Sequence, residues 1–166
     1  MPLNLPPADK YVVGVISDTH GLMRAGALRA LAGADLIIHA GDIGRPEVLD
    51  ALRALAPAVV AVRGNNDDGG AAWAHRIAET ETIEIGAVKL YLLHALPELT
   101  LDPAASGFDV VVSGHSHRPS VERRENGVLY LNPGSAGPRR FKLPVTVARL
   151  TVRGKSCRAR IIELEV

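Results

Sequence analysis

Seven residues whose side chains are of metal-ligating type stand just behind apolar runs. Asp18 and His20 follow residues 11–16, Asp42 follows 35–38, and Asn65 follows 58–62. His94 closes the run 88–93, and His115 with His117 follow 108–112. Short, β-branched runs of this kind read as strands buried on both faces. Ligands of open α/β sheets bind beyond the carboxyl ends of the strands. Five strand ends would therefore deliver oxygen and imidazole groups to one place. Asp18/His20 and His115/His117 are i, i+2 pairs, whose side chains share a direction if the segments are extended. Gly41, Gly64 and Gly114 precede ligands, where a missing Cβ lets the backbone crowd in. For any single histidine, a satisfied core or loop residue is the commoner role. That reading loses ground when four of six histidines and three Asp/Asn residues share one edge. Mixed oxygen and nitrogen donors suit manganese, iron, nickel or zinc. Seven candidates exceed the roughly four to six one ion takes, which points to two ions sharing a carboxylate.

The elements that must position these groups alternate. A strand at 11–16, a helix at about 24–32, a strand at 35–38, a helix at 46–55 opened by Pro46, and a strand at 58–62 fit βαβ units and a parallel sheet. The second half is richer in strands: 80–85 with 88–93, then 108–112, then 121–124 with 128–131 flanking Asn126-Gly127, a strong hairpin signal. Residues 145–152 and 158–165 alternate around Arg153-Gly154-Lys155 as a further hairpin. The expectation is one α/β domain over 1–166, two packed sheets covered by helices, with 1–9 a disordered tail.

The chain has 166 residues, 47% apolar and 22% charged, with a net charge of +1. A domain of this size buries a core without staples. The charge balance argues against long nucleic acid as a partner, and 4% aromatics are too few for stacking along a single strand. The single cysteine, Cys157, makes no internal disulfide. No apolar run approaches a membrane span, and the first seven residues lack the pattern of a signal peptide, so the expectation is cytoplasmic. No Gly-rich loop ends in Gly-Lys-Ser/Thr. Residues 114–118 lack the closing glycine of a nucleophile elbow, which rejects a serine hydrolase.

Taken in order, Asp18-Thr19-His20, Gly41-Asp42, Gly64-Asn65-Asn66-Asp67, His94 and Gly114-His115-Ser116-His117 resemble the motifs of the calcineurin-like metallophosphoesterases. The spacing resembles the small single-domain bacterial and archaeal phosphodiesterase branch, as does Asn132-Pro133-Gly134-Ser135. The resemblance spans about residues 12–140. It implies a four-layered α/β/β/α sandwich of two mixed sheets flanked by helices. It further implies a first divalent ion on Asp18, His20 and His117 and a second on Asn65, His94 and His115, with Asp42 bridging. Manganese is the expected metal, with nickel, iron, zinc or cobalt as alternatives. The implied reaction is in-line attack on a small phosphodiester by a hydroxide shared between the ions, with Asp42, Asn65 and His94 as the catalytic set. The resemblance also implies a homo-oligomer, dimer or tetramer. The alternative is a weak or inactive scaffold of the same fold acting through protein interactions.

Two positions depart from the pattern. Asn66 stands where many relatives carry a histidine that protonates the leaving oxygen, which predicts weaker action on poor leaving groups. Leu96, in His94-Ala95-Leu96, is expected to alter the pocket mouth. Among weaker candidates, His39 is either a partner of a ligand or a core histidine. Asp67 orients a ligand or loop, or caps a helix. Arg139 and Arg140 could meet a substrate phosphate. His75 reads as a surface residue.

Overall fold

The structure is a computed structural model, and it describes residues 3, 5–67 and 71–166. Among the described residues, ten strands form two five-stranded mixed sheets packed face to face. The first half supplies β1 (Tyr11–Ile16), α1 (Ala25–Leu31), β2 (Leu36–His39), α2 (Pro46–Leu55), β3 (Val59–Ala61) and a one-turn α3 (Ala72–His75). The second half supplies β4 (Thr80–Ile85), β5 (Val88–Leu93), β6 (Val110–Val112), β7 (Ser120–Arg123), β8 (Leu129–Asn132), β9 (Thr146–Arg153) and β10 (Ser156–Glu163).

The first sheet runs β10-β9-β1-β2-β3, the second β4-β5-β6-β8-β7. In the first, β1, β2 and β3 are parallel and the C-terminal hairpin adds antiparallel to β1. In the second, β5, β6 and β8 are parallel, flanked by antiparallel β4 and β7. Alternation along the strands fills the space between the sheets with Val13, Val15, Leu36, Ile38, Leu90 and Val112, all inaccessible to solvent. Shortening one of these, as in Leu90→Ala, would cost roughly 2–5 kcal/mol.

On the outer face of the first sheet, Ala27 and Leu31 of α1 and Val48, Leu49 and Leu52 of α2 close a second core, joined by Trp73 of α3. Proline opens α2, Glu47 sits in its first turn and Arg53 in its last, each complementing the helix dipole. The outer face of the second sheet is covered more thinly. The 3₁₀ turn Leu96–Glu98 lays Leu96, with Leu99, over Leu93, Val111, Val128 and Tyr130. The α/β/β/α order thus holds with a fourth layer built of turns.

Residues 1, 2 and 4 of the expected tail lie outside the described residues. The described part is pinned, not free: Leu3 and Leu5 pack on the central core, and the Tyr11 hydroxyl donates to the Pro6 carbonyl at 2.7 Å. Among the described residues no helix is long and apolar enough to cross a membrane.

Candidate metal centre

The parallel strands of both sheets end at the same rim, and the loops that leave them carry the polar residues. Asp18 follows β1, Asp42 follows β2, His94 follows β5, and His115 and His117 follow β6. Five backbone positions here are left-handed: Asp18 (φ 55°), His20 (46°), Asp42 (57°), His115 (70°) and His117 (61°). Non-glycine residues in this region are uncommon, and each costs of order 1–3 kcal/mol. The i, i+2 pairs therefore converge by a route other than the extended backbone expected from their spacing. A left-handed residue at each site folds the loop back across the strand ends.

The buried Asp18 carboxylate divides its oxygens. Its Oδ2 accepts the Ser17 hydroxyl at 2.7 Å and the His115 backbone N–H at 3.0 Å. Its Oδ1 has no hydrogen-bond partner among the described residues and faces His117 Nε2 at 3.4 Å and His20 and His94 Nε2 at 3.9 Å each. Asp42 is held by Asn66, whose backbone N–H donates to Oδ1 at 2.9 Å and whose side-chain amide donates to Oδ2 at 3.0 Å. Its Oδ2 also faces His94 Nε2 at 3.3 Å and His20 Nε2 at 3.8 Å. Burial alone would raise the Asp42 carboxyl, but the contacts with His94 and Asn66 outweigh it and hold the group well below the usual carboxylate range.

His94 shows the electrostatic problem most plainly. Its Nδ1 lies 2.7 Å from the Ala40 carbonyl, which only accepts, so Nδ1 carries the hydrogen. In the neutral ring Nε2 is then a bare lone pair aimed at the Asp42 carboxylate. Burial lowers its affinity for a proton, yet the Asp42 contact prevails and the group is raised above the ordinary histidine range. Either a proton or a cation must lie between these atoms. Among the described residues, buried Asp18 Oδ1, His20 Nε2, His94 Nε2 and His117 Nδ1 are all without hydrogen-bond partners, a shortage that buried polar groups seldom show. A cation bonded at about 2.1 Å spaces its ligands about 3.0–3.4 Å apart, close to the observed contacts. Two sets of donors fall within 4.8 Å of one another: Asp18, His20 and His117, and Asp18, Asp42 and His94. The residues fit divalent metal.

Asn65 and His115 stand at the exposed rim, Asn65 Oδ1 3.2 Å from His115 Nδ1. The rings of His94 and His115 meet edge-on, 5.1 Å between centroids. His117 lies below the ordinary histidine range because burial outweighs the Asp18 carboxylate, with the charges of Arg140 and His20 adding to it. Gly64 and Gly114 leave the space the carboxylates occupy: a Cβ on Gly64 would strike the Asp42 backbone nitrogen and Oδ1, and one on Gly114 would strike Ser17 Oγ and Asp18 Oδ2. A Cβ on Gly41 would likewise meet the His94 ring.

Among the weaker candidates, His39 is a core histidine. It is inaccessible to solvent, accepts the Gly41 N–H on Nδ1 at 3.1 Å, and places Nε2 2.9 Å from the Thr19 hydroxyl, itself bonded to the Ile43 carbonyl. Burial, with a smaller effect of His94, lowers it to about 3. It braces the loop between Asp18 and His20 without touching their side chains. Asp67 orients a loop and is neither a cap nor a partner of a ligand side chain: its carboxylate accepts the N–H groups of Ile43, Gly44 and Gly64 at 2.9–3.1 Å and so ties the Asp42 loop to the Asn65 loop. Arg139 turns away; its Nε donates to the Leu143 carbonyl and it lines a groove with the C-terminal residues 163–166. Arg140 is the arginine whose charge reaches the centre. His75 is exposed. Ala95 lines the cavity beside His94, whereas Leu96 lines a separate groove on the other side of His115.

Sequence reasoning passed over three supports. Ser17 and Ser135 bond Asp18, the latter at its carbonyl oxygen, and the Asn132 amide donates to the Gly114 carbonyl and Ser116 hydroxyl. The motif holding Asn132 and Ser135 was legible, but their contacts lie up to 117 residues away in sequence.

Fold and site together define a two-sheet α/β sandwich with candidate divalent-metal donors gathered at one rim. The chain belongs to the calcineurin-like phosphoesterase superfamily, whose domain model matches residues 12–155. It is 36% identical to a probable metallophosphoesterase of Methanocaldococcus jannaschii, covering 93% of this chain and 82% of that protein. It is also 36% identical to a probable metallophosphoesterase of Methanothermobacter thermautotrophicus, covering 91% of each. Among solved structures, Vps29 from Entamoeba histolytica complexed with zinc superposes with a TM-score of 0.69 at 23% identity, over 93% of this chain and 99% of that one. That likeness is one of fold.

Proposed function

We propose that this chain is a two-metal phosphoesterase that hydrolyses small phosphodiesters. The observation that carries the reading is the pairing of Asp18 Oδ1 and Asp42 Oδ2 with three imidazole nitrogens at 3.3–3.9 Å. In this reading Asp18, His20 and His117 hold one ion, Asn65, His94 and His115 the other, and Asp42 lies between them. Bound divalent ions, manganese first among them, supply electrophilic charge against phosphoryl oxygens and make hydroxide available from water near neutral pH. The chain's own contribution is to hold the donors ready. Ala40 fixes the His94 ring, Asn66 grips Asp42 through two hydrogen bonds, and the Gly64 and Gly114 backbones close on the carboxylates.

Asn66 cannot give a proton to a departing alcohol, and its amide already points at Asp42. The leaving group must therefore depart with little protonation from this position, which favours acidic alcohols. The test is the metal-stripped full chain assayed on an aryl phosphodiester with and without manganese. Activity that appears with manganese and is lost in Asp42→Ala and His115→Ala supports the reading; wild-type activity in either variant rejects the assigned roles. The likeness to Vps29 favours a second reading, a scaffold of the same fold. Metal analysis separates the two: near two ions per chain supports the enzyme, and none after purification with added metal supports the scaffold. We also place the protein in the cytoplasm as a dimer or tetramer, for which light scattering is the check.

A further inference from the structure

Two cavities meet at His115. One, of about 460 Å³, is bounded by Arg63, Asn65, Glu79, His94 and Glu98. The other, of about 320 Å³, runs from His115 past Ser116 and Arg118 toward Arg124 and Tyr130. Their charges are opposite once internal pairs are removed. In the larger cavity Arg63 is spent on Glu79 at 2.8 Å, leaving Glu98 without an ion-pair partner among the described residues. In the groove Arg124 is spent on Glu122 at 3.3 Å and lies 3.7 Å over the Tyr130 ring. The Arg118 side chain, exposed and directly after His117, makes no ion pair among the described residues; only its backbone N–H is engaged, with the Ser116 hydroxyl at 3.2 Å.

A phosphomonoester has one ester arm and needs one cavity. A diester has two, leaving phosphorus in different directions, and a centre with a cavity on each side of one rim residue fits that shape. Resting on the phosphodiesterase reading above, we propose that the substrate is an unsymmetrical phosphodiester. One arm is anionic, a carboxylate or second phosphate, and lies in the groove against Arg118. The other is neutral and hydroxyl-bearing, and lies in the cavity beside Glu98. A guanidinium suits either anion through charge-assisted, forked hydrogen bonds, while Glu98 accepts from hydroxyls and repels a second negative charge. Hydrolysis adds water across one P–O bond: the water oxygen ends on phosphorus and a proton ends on the departing alcohol.

The test compares three synthetic diesters that differ in one arm: glycerol joined to glycerol, to glycerate, and to glycerol phosphate. Cleavage by the manganese-loaded full chain is followed by ³¹P NMR. The expected kcat/KM is at least about tenfold higher for the anionic arms than for the neutral one. Arg118→Gln collapses that ratio to about two or less, and Arg158→Gln, on the C-terminal hairpin and lining neither cavity, leaves it unchanged. In the metal-free protein the glycerate diester shifts the amide resonances of Ser116, Arg118 and Ser120, and Arg118→Gln weakens that response. A preference for one anion alone supports the proposal and identifies the source. A wild-type ratio near one, or a full ratio in Arg118→Gln, overturns it. Bis(p-nitrophenyl) phosphate separates the levels. If it is cleaved while the ratio is near one, only the assignment of the arms falls; if it is not cleaved, the phosphoesterase reading falls with it.

Discussion

Replacing Gly64 by alanine places a methyl group on the Asp42 backbone nitrogen and Oδ1. The backbone at Gly64 is not left-handed, so alanine suffers no conformational penalty there, and the whole effect comes from the collision. Overpacking costs about 1–3 kcal/mol. The upper end applies because one obstructing atom is backbone, next to the Ile43 N–H that Asp67 accepts, and the other is the carboxylate oxygen that the Asn66 N–H holds. For a chain of this size about 3 kcal/mol lowers Tm by about 6–12 °C. A shift of Asp42 by about 1 Å would also cut kcat by about 10²-fold. Gly26 is the internal control. It lies inside α1 with only the far end of Arg29 within 4 Å, so Gly26→Ala stabilises by about 0.5–1 kcal/mol and raises Tm by about 1–4 °C. Thermal melts with chelator give the stability change, and metal titration with an aryl diester gives the change at the site. The reasoning is refuted if Gly64→Ala melts within about 2 °C of wild type and binds metal equally well, or if both variants move Tm in one direction.

Three further outcomes follow from the same geometry. His39 is lowered to about 3 in the folded chain, against about 6.5 unfolded, so between those values the unfolded state binds the proton the folded state refuses. Stability then rises with pH through that window and is lost as acid is added, by at most roughly 5 kcal/mol; urea titrations at pH 4–7 should show a shallower slope in His39→Asn. Asn66→Ala removes one donor to Asp42 Oδ2, worth about 1.5–3 kcal/mol for a charged acceptor, and calorimetry should find metal affinity about 10–100-fold weaker. Manganese at 100 times its Kd should stabilise the wild type by about 2.7 kcal/mol, a rise in Tm of about 5–11 °C, and Asp18→Ala should largely abolish that rise in a melting scan.

Much of the fold was legible because its signals are local. The β-branched runs, Pro46 ahead of a helix, and Asn126-Gly127 between alternating residues each specify an element without help from elsewhere. The rim position of Asp18, Asp42 and His94 was equally legible, since a polar residue at the end of a buried strand has one place to go. What escaped depended on distant contacts. Nothing near Asp67 in sequence announces three backbone donors, two of them more than twenty residues away. Arg139 and Arg140 are indistinguishable by type, and only the path of the loop sends one to the C-terminal groove and gives the other influence over His117. The left-handed backbone was hidden because an i, i+2 pair looks the same in a strand and in a folded loop. The turn-built fourth layer has too little periodicity to read.

The Asp18 carboxylate receives the His115 N–H from 97 residues downstream, and its carbonyl receives the Ser135 hydroxyl from 117 residues downstream. A nascent chain that has emerged only as far as His94 therefore holds Asp18, His20, Asp42 and His94 but neither His115 nor His117. The donor set at this rim is thus complete only once the chain has passed His117, and its bracing only once it has passed Ser135.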